Sequence, residues 1–330
     1  MSVSIFLGRP HDIARVYAKT EQTLKAEAGL RGLMTREEVL AGNAKDVSYI
    51  FSTWGMPQFT EEEIRSCLPS LKAVFYAAGS VRYFAEPFIN SGISVFSAWA
   101  ANAIPVAEYT VAQIILANKG FYNTSALMKA QKLDETHALR DAMPGNFGTK
   151  VGLIGAGMIG SMVAEKLHAI TDLEILAFDP FMSEEKAKRI GVTSVSLETL
   201  FSSCQTISNH LANNAETQGM LNGSLFRLMP ENAVFLNTGR GAQVVEQDLI
   251  DYLKTHPTAT AVLDVTAPEP PVEDSPLYHL PNVVLTPHIA GSNGHEVERM
   301  AAFMLDEYRL FVSGRPTRYR VSAEMLKTMA

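Results

Sequence analysis

A glycine pattern and three isolated polar residues are the parts of this chain whose types and spacing suit chemistry. The segment Lys150-Val-Gly-Leu-Ile-Gly155-Ala-Gly157-Met-Ile-Gly160 spaces its last three glycines as GxGxxG. An apolar run precedes them, and a run with Ile159, Met162, Val163 and Leu167 at helical spacing follows. At such a strand-to-helix turn each glycine has a mechanical task. Gly155 permits the tight turn, Gly157 lets the backbone approach a diphosphate, and Gly160 lets the helix pack closely on the strand. The diphosphate then faces the free N–H groups of the helix N-terminus. The next apolar run ends at Asp179, 19 residues after Gly160, the spacing of an acid that accepts hydrogen bonds from a ribose 2′-hydroxyl. A carboxylate there repels a 2′-phosphate, and residues 180–182 hold no Arg or Lys to reverse the charge. NAD is therefore favoured over NADP.

Arg240, Glu269 and His288 come later, each just past an apolar run. Their segments are Phe235-Leu-Asn-Thr-Gly-Arg240-Gly241, Val262-Leu-Asp264-Val-Thr-Ala-Pro-Glu269-Pro270 and Leu285-Thr-Pro-His288-Ile-Ala-Gly291-Ser292. Open α/β sheets bind ligands at the carboxyl ends of their strands. A guanidinium, a carboxylate and an imidazole would thus converge beside a nicotinamide. Taken singly, each has a blander reading: a His after a strand is more often structural, and a lone Arg or Glu is more often half of a surface ion pair.

The elements that must position these groups alternate along the chain. Residues 3–7, 47–51, 71–77 and 94–96 read as strands. Residues 12–27 read as a helix stopped by Gly29, and Thr60 with Glu63 forms a capping box that opens another. The longest helical stretch, 103–131, is apolar on most faces, as in a helix buried in a core or at an interface. Residues 141–148 read as a loop. A second series then begins at Lys150, with strands at 151–154, 174–178, 206–210, 233–237, 259–263 and 283–285, helices at 158–170 and 246–255, and a final amphipathic helix at 294–313. Strand–helix alternation of this kind predicts an α/β fold with two Rossmann-like domains and parallel sheets.

Together these segments closely resemble the D-isomer-specific 2-hydroxyacid dehydrogenase family. The resemblance runs through residues 71–81, the stretch from Asn102 ending in Val106-Ala-Glu108, the glycine fingerprint, Ser208-Asn-His210-Leu211 and the three segments above, so it covers nearly the whole chain. It implies a substrate-binding domain from residues 1–102 and 289–330, with an NAD-binding domain, 103–288, inserted into it. It implies His288 as general acid/base, Glu269 as the carboxylate that orients the imidazole, and Arg240 as the fork that holds the substrate's carboxylate. Backbone N–H groups at Gly79, Ser80 and Val81 would add carboxylate donors, and Trp54 a substrate-pocket wall. Beyond the glycines and Asp179, cofactor contacts are expected at Met158, Ile159, His210, Leu211 and Ala212. Thr217, Thr238, Gly239, Asp264 and Gly291 complete that set, with no metal required. The long helix from Ala103 packs in a dimer interface in this family, which implies a homodimer.

Some positions depart from the family pattern. The loop Ser52-Thr53-Trp54-Gly55-Met56 lacks the arginines that phosphoglycerate dehydrogenases carry there, which argues against a phosphorylated substrate. Arg82 follows Gly79-Ser80-Val81 where relatives have Asp, and Ala212 replaces a common Pro. The chain ends at Ala330, without the regulatory domain that many phosphoglycerate dehydrogenases append.

Composition bounds the rest. Hydrophobic residues make up 47% and charged residues 19% of 330, and the net charge is −7. That balance suits globular domains and offers no basic run for nucleic acid. Two cysteines, Cys67 and Cys204, are too few for a disulfide framework or a structural zinc site. The N-terminus reads as a strand rather than a leader, and no apolar run reaches the ~18 residues of a membrane span. The expectation is a cytoplasmic NAD(H)-dependent oxidoreductase that interconverts a small D-2-hydroxy acid and its 2-keto acid. The alternative is an NAD(H)-sensing regulatory protein of the same fold with little turnover.

Overall fold

A computed structural model describes residues 2–328 of the chain. Its strands, in chain order, are β1 (Ser4–Leu7), β2 (Leu30–Leu33), β3 (Tyr49–Ser52), β4 (Ala73–Tyr76), β5 (Ser94–Ser97), β6 (Phe147–Ile154), β7 (Asp172–Phe178), β8 (Thr193–Ser194), β9 (Thr206–Asn209), β10 (Val234–Asn237), β11 (Thr260–Leu263), β12 (Val283–Leu285) and β13 (Arg320–Val321). The chain divides into two compact units, Met1–Ala103 with Ser292–Ala330, and Ile104–Gly291. The first is discontinuous in sequence and the second is inserted into it.

The first unit is built on a sheet of order β13-β5-β4-β3-β1-β2. Its strands β1, β3, β4 and β5 are buried along their whole length, as expected of parallel strands covered on both faces. In-register pairing places Phe51, Phe75 and Phe96 side by side, with ring centroids 5.2 and 4.9 Å apart. The returning helix Val297–Val312 closes this row. Its Tyr308 ring lies 5.7 Å from Phe75 and its Phe311 ring 5.5 Å from Phe96. Glu307 on the same helix is wholly buried. It accepts the backbone N–H groups of Arg318 and Tyr319 at 2.9 and 3.1 Å, so its charge is met where water cannot reach. That grip turns the chain into β13, which pairs antiparallel with β5.

The second unit carries a wholly parallel sheet of order β12-β11-β10-β9-β6-β7-β8. From β6 the chain steps outward to β7 on one side. It later crosses back to β9 on the other, so the order reverses between β6 and β9. Helix Met158–Ile170 packs Val163, Ala164 and Leu167 against Val151 and Leu153 of β6.

Several local expectations are corrected. The helix read at 12–27 is two helices, Pro10–Val16 and Glu21–Ala28. Tyr17 breaks it by turning its hydroxyl into the core to donate to the Ser52 carbonyl at 2.8 Å. The stretch 103–131 is also two helices, Trp99–Asn118 and Phe121–Lys129. Gly120 between them adopts φ 67°, and a Cβ there would lie 2.6 Å from Met143 Cγ, so only glycine suits the break. Part of the expected loop at 141–148 is the end of helix Leu133–Ala142 and the start of β6. Edge strands β2 and β13 were not anticipated, being short and rich in charge or glycine. Helix Trp99–Asn118 is long and apolar enough to cross a membrane by length and composition, against the reading of no such run. Its Ala107, Val111, Ile114 and Ala117 are buried in the core of the second unit.

The stacked phenylalanine row supports a stability prediction. Phe75→Ala should cost about 3–5 kcal/mol in the first unit, read as a lowered denaturation midpoint by circular dichroism. A loss below about 1 kcal/mol would show that the row does not anchor the sheet.

Candidate active site

Each expected catalytic residue follows its own strand: Arg240 after β10, Glu269 after β11 and His288 after β12, the three strands being consecutive in the sheet. Parallel pairing in register carries all three chains out at the same edge. The result is an imidazole and a carboxylate in direct contact, with His288 Nδ1 2.7 Å from Glu269 Oε1. Both side chains are exposed to solvent. Arg240 is more enclosed. Loss of solvent pulls its guanidinium below the ordinary arginine range, while the nearby Glu269 charge pulls it back up. One of its N–H groups is fixed on the Gly239 carbonyl at 2.7 Å.

Buried amides hold the Arg240 loop. Gln243 is fully buried. Its Oε1 accepts from Asn209 Nδ2 at 2.6 Å and from the Arg240 backbone N–H at 3.1 Å. Its Nε2 donates to the carbonyls of Leu211 and Ala212 at 2.8 and 2.9 Å. Asn237 Oδ1 takes the Gly239 N–H at 3.0 Å, and its amide donates to the Arg240 carbonyl at 3.2 Å. Nearly every hydrogen-bonding position of these amides is used, and together they lock the loops after β9 and β10 to each other. Sequence reasoning passed over Asn209, Asn237 and Gln243. For Asn209 and Asn237 the available signal was an amide at the end of an apolar strand, where burial forces it to find partners.

His288 adopts φ 55°, in the left-handed region that costs a non-glycine residue about 1–2 kcal/mol. Asp264, at the end of β11, holds it there. The Asp264 carbonyl accepts the His288 N–H at 3.1 Å. Its carboxylate, 1% exposed, accepts from Thr286 Oγ1 at 2.6 Å and from the N–H groups of Ile289 and Ala290 at 2.8 and 2.9 Å. Asp264, expected among the cofactor contacts, thus commits its carboxylate to the chain on both sides of the histidine. Gly291 follows directly after that grip.

The glycine turn has the geometry of a diphosphate cradle. Gly155 adopts φ 86°, and a Cβ on it would lie 2.8 Å from the His210 carbonyl oxygen. A Cβ on Gly160 would lie 2.2 Å from the Gly155 carbonyl oxygen, closer than any side chain could be. Around Gly157, the N-cap of helix Met158–Ile170, a Cβ would meet nothing within 4 Å, so the backbone there faces open space. Met158 and Ile159 form the first turn of that helix. Asp179 bridges the turn from the next strand, its carboxylate accepting from Ala156 N–H and Phe181 N–H, both at 2.9 Å. Beneath the turn lies His210, with Nε2 2.9 Å from Ser208 Oγ. Its Nδ1 is buried, with no hydrogen-bond partner among the described residues. Burial lowers this imidazole to about 4, so it is neutral near pH 7. Thr217 closes the following loop by donating to the Ala212 carbonyl at 2.7 Å. Thr238 lies 3.4 Å from the Thr110 hydroxyl. The open cradle, the orphaned His210 nitrogen and the placement of Asp179 fit a dinucleotide.

The remaining expected residues belong to the first unit. Trp54 follows β3, and Gly79, Ser80 and Val81 follow the adjacent β4. Ser97 Oγ donates to the carbonyls of Ala78, at 2.9 Å, and Gly79, at 2.5 Å, fixing that turn. Sequence reasoning found no cation in the Trp54 loop, but the fold brings two to it. The Arg9 backbone N–H donates to the Trp54 carbonyl at 3.1 Å, and the Arg15 guanidinium lies 5.6 Å above the Trp54 ring. Asp12 pairs with both arginines, at 2.7 and 3.8 Å. Nothing in the sequence around Trp54 foreshadows them, because they follow a different strand.

Residues 111–290 match the family model described as "D-isomer specific 2-hydroxyacid dehydrogenase, NAD binding domain". That is more than half of the chain, and the protein belongs to this family of NAD-dependent oxidoreductases. Among curated proteins it is similar to the D-3-phosphoglycerate dehydrogenase of Archaeoglobus fulgidus, 32% identical over 231 residues, covering 70% of this chain and 43% of the relative. The Bacillus subtilis D-3-phosphoglycerate dehydrogenase is 30% identical over 256 residues, covering 77% and 48% respectively. The chain spans about half the length of these relatives. In fold it is similar to the apo D-mandelate dehydrogenase of Rhodotorula graminis, with TM-score 0.80 and 20% identity over 97% of this chain and 98% of that one. It is also similar to the NAD-complexed D-isomer specific 2-hydroxyacid dehydrogenase of Lactobacillus delbrueckii ssp. bulgaricus, with TM-score 0.78 and 20% identity over 98% and 100%.

The Gly160 contact gives a direct test of the cradle. Gly160→Ala should weaken NADH binding at least 10-fold in a fluorescence titration, because its methyl group must displace the Gly155 carbonyl. Unchanged affinity would mean that the dinucleotide does not sit on this turn.

Proposed function

We propose that the protein interconverts a small D-2-hydroxy acid and its 2-keto acid, with His288 as the general acid/base. The observation that carries this reading is the 2.7 Å contact between His288 Nδ1 and Glu269 Oε1, in a unit whose glycine turn fits a dinucleotide. With Nδ1–H donated to the carboxylate, Nε2 is the nitrogen left to exchange a proton with substrate. Bound NAD(H) supplies or accepts the hydride at its nicotinamide ring. During reduction His288 gives its proton to the carbonyl oxygen as negative charge develops there, and during oxidation it takes the hydroxyl proton back. Glu269 orients the ring. Arg240 holds the substrate carboxylate, a task that suits a planar fork of donors. In this reading Gly79, Ser80 and Val81 supply further carboxylate donors and Trp54 a wall of the substrate pocket. Asp179 takes the ribose hydroxyls and selects NAD over NADP.

The substrate is proposed to be unphosphorylated, with glyoxylate and hydroxypyruvate as representative keto acids. The Trp54 loop contains no cation of its own, and the arginines beside it share Asp12. The decisive assay follows NADH absorbance with a panel of neutral, dicarboxylic and phosphorylated 2-keto acids, repeated with NADPH. Oxidation of NADH by an unphosphorylated acid is expected. Tight NADH binding without turnover across the panel would favour a sensor over an enzyme. His288→Ala and Arg240→Ala should each lower kcat/KM at least 100-fold, within the range for removing acid–base or transition-state groups, while NADH affinity stays within a few-fold. A near-normal rate in either variant removes that residue from the mechanism.

A homodimer formed through the second unit is part of the same proposal. Phe121, Met128 and Leu133 are about half exposed, and Phe147 is 82% exposed. Apolar residues of this size gathered on one region of sequence suit a protein contact. Light scattering should give twice the chain mass, and Phe121→Asp with Met128→Asp should give the monomer. A monomeric wild type would rule the contact out.

A further inference from the structure

A chain of hydrogen bonds runs from helix Trp99–Asn118 to the loop that carries His288, and it has a direction. The Asp264 carboxylate is an acceptor only, so the Thr286 hydroxyl must donate its single proton to it across 2.6 Å. Thr286 Oγ1 is then left as an acceptor for Tyr109, whose hydroxyl lies 3.1 Å away. Tyr109 must therefore be the donor in that contact. Burial raises the phenol above its ordinary range, so the proton it donates is present at any working pH. Tyr109, Thr286 and Asp264 thus have one consistent donor–acceptor assignment.

We propose that Tyr109 is a positioning residue for His288, acting through Thr286 and Asp264. The geometry explains why a remote phenol matters. Asp264 grips Thr286 on one side of His288 and the N–H groups of Ile289 and Ala290 on the other. The histidine between them holds a left-handed backbone conformation, which persists only while its surroundings over-determine it. Tyr109 fixes the rotamer of Thr286, and Thr286 fixes the carboxylate oxygen that also binds Ile289 N–H. Removing the phenol hydroxyl leaves Thr286 Oγ1 short of a donor and held only by its bond to Asp264, which loosens the segment that aims the imidazole at Glu269.

The catalytic consequence rests on the proposed function, but the structural one does not. Two readouts therefore separate them. The first is amide hydrogen exchange in residues 286–291. Tyr109→Phe should speed exchange at Ile289 and Ala290 about 5–10-fold, the factor that corresponds to one ordinary hydrogen bond, with no matching change in β6 or β9. The second is kinetic. Tyr109→Phe and Thr286→Val should each lower kcat about 10-fold while KM and NADH affinity move less than about 2-fold. The double variant should be no slower than the slower single one, because both break the same link. Thr286→Ser keeps the hydroxyl and should stay within about 2-fold of wild type. Unchanged exchange in Tyr109→Phe, kcat losses that multiply in the double variant, or a Thr286→Ser as slow as Thr286→Val would each overturn the proposal. A wild type with no turnover would defeat the enzyme reading alone, and the exchange result would still decide the role of Tyr109.

Discussion

Polar groups that have no water must find partners inside the chain, and this requirement governs the carboxyl edge of the second sheet. Asn209, Asn237, Gln243 and Asp264 are all essentially buried. Asn209, Asn237 and Asp264 stand at or just past the end of an apolar strand and Gln243 in the turn after β10, where an unpaired amide or carboxylate would be expensive. Their partners are mostly backbone groups of the neighbouring loops. The loops after β9, β10, β11 and β12 are consequently not four independent segments. Gln243 ties the loop after β9 to the one after β10, Asn237 holds the loop after its own strand, and Asp264 after β11 holds the loop after β12. The exposed His288 projects from a segment that the buried Asp264 carboxylate holds on both sides.

Strand order turns that local rigidity into a site. The chain visits β6, β7, β9, β10, β11 and β12 at widely separated points in sequence, yet the sheet makes β9 through β12 consecutive neighbours. Parallel pairing sends every loop out at one edge. The reversal of strand order between β6 and β9 leaves the glycine turn beside the loop that carries His210, where a crevice opens in doubly wound sheets. The imidazole–carboxylate contact and the cradle are thus products of one sheet rather than of separately evolved surfaces.

Much of this was legible in the sequence, and the gaps have physical causes. The glycine turn was readable because its constraints are steric and local. Gly155 and Gly160 have no room for a methyl group, and that restriction leaves a mark on residue type. Helix Met158–Ile170 was legible with its observed bounds because a strand-ending glycine and a clear apolar stripe define both ends. Arg240, Glu269 and His288 stood out only because each follows an apolar run. Their contact depends on strand order, which no spacing within the chain encodes. Arg9 and Arg15 were invisible as neighbours of Trp54 for the same reason, since β1 and β3 meet only in the folded sheet. The break at Gly120 was missed because a single glycine is tolerated in many helices, and only the contact with Met143 makes it obligatory. Gln243 carried no sequence signal of its own, because its importance comes from the four partners that burial imposes on it.

The divided first unit has a consequence for how the protein is made. β1 to β5 are synthesised before the inserted unit, but the row of Phe51, Phe75 and Phe96 gains its cover only from Tyr308 and Phe311, which follow that unit. While the ribosome translates the intervening residues, that aromatic face is without its lid. The inserted unit has all of its strands once residue 291 emerges and can fold as a body of its own. The earliest part of the polypeptide is therefore the last to be finished, and nascent chains stalled before helix Val297–Val312 are the form of this protein most exposed to chaperones and to aggregation.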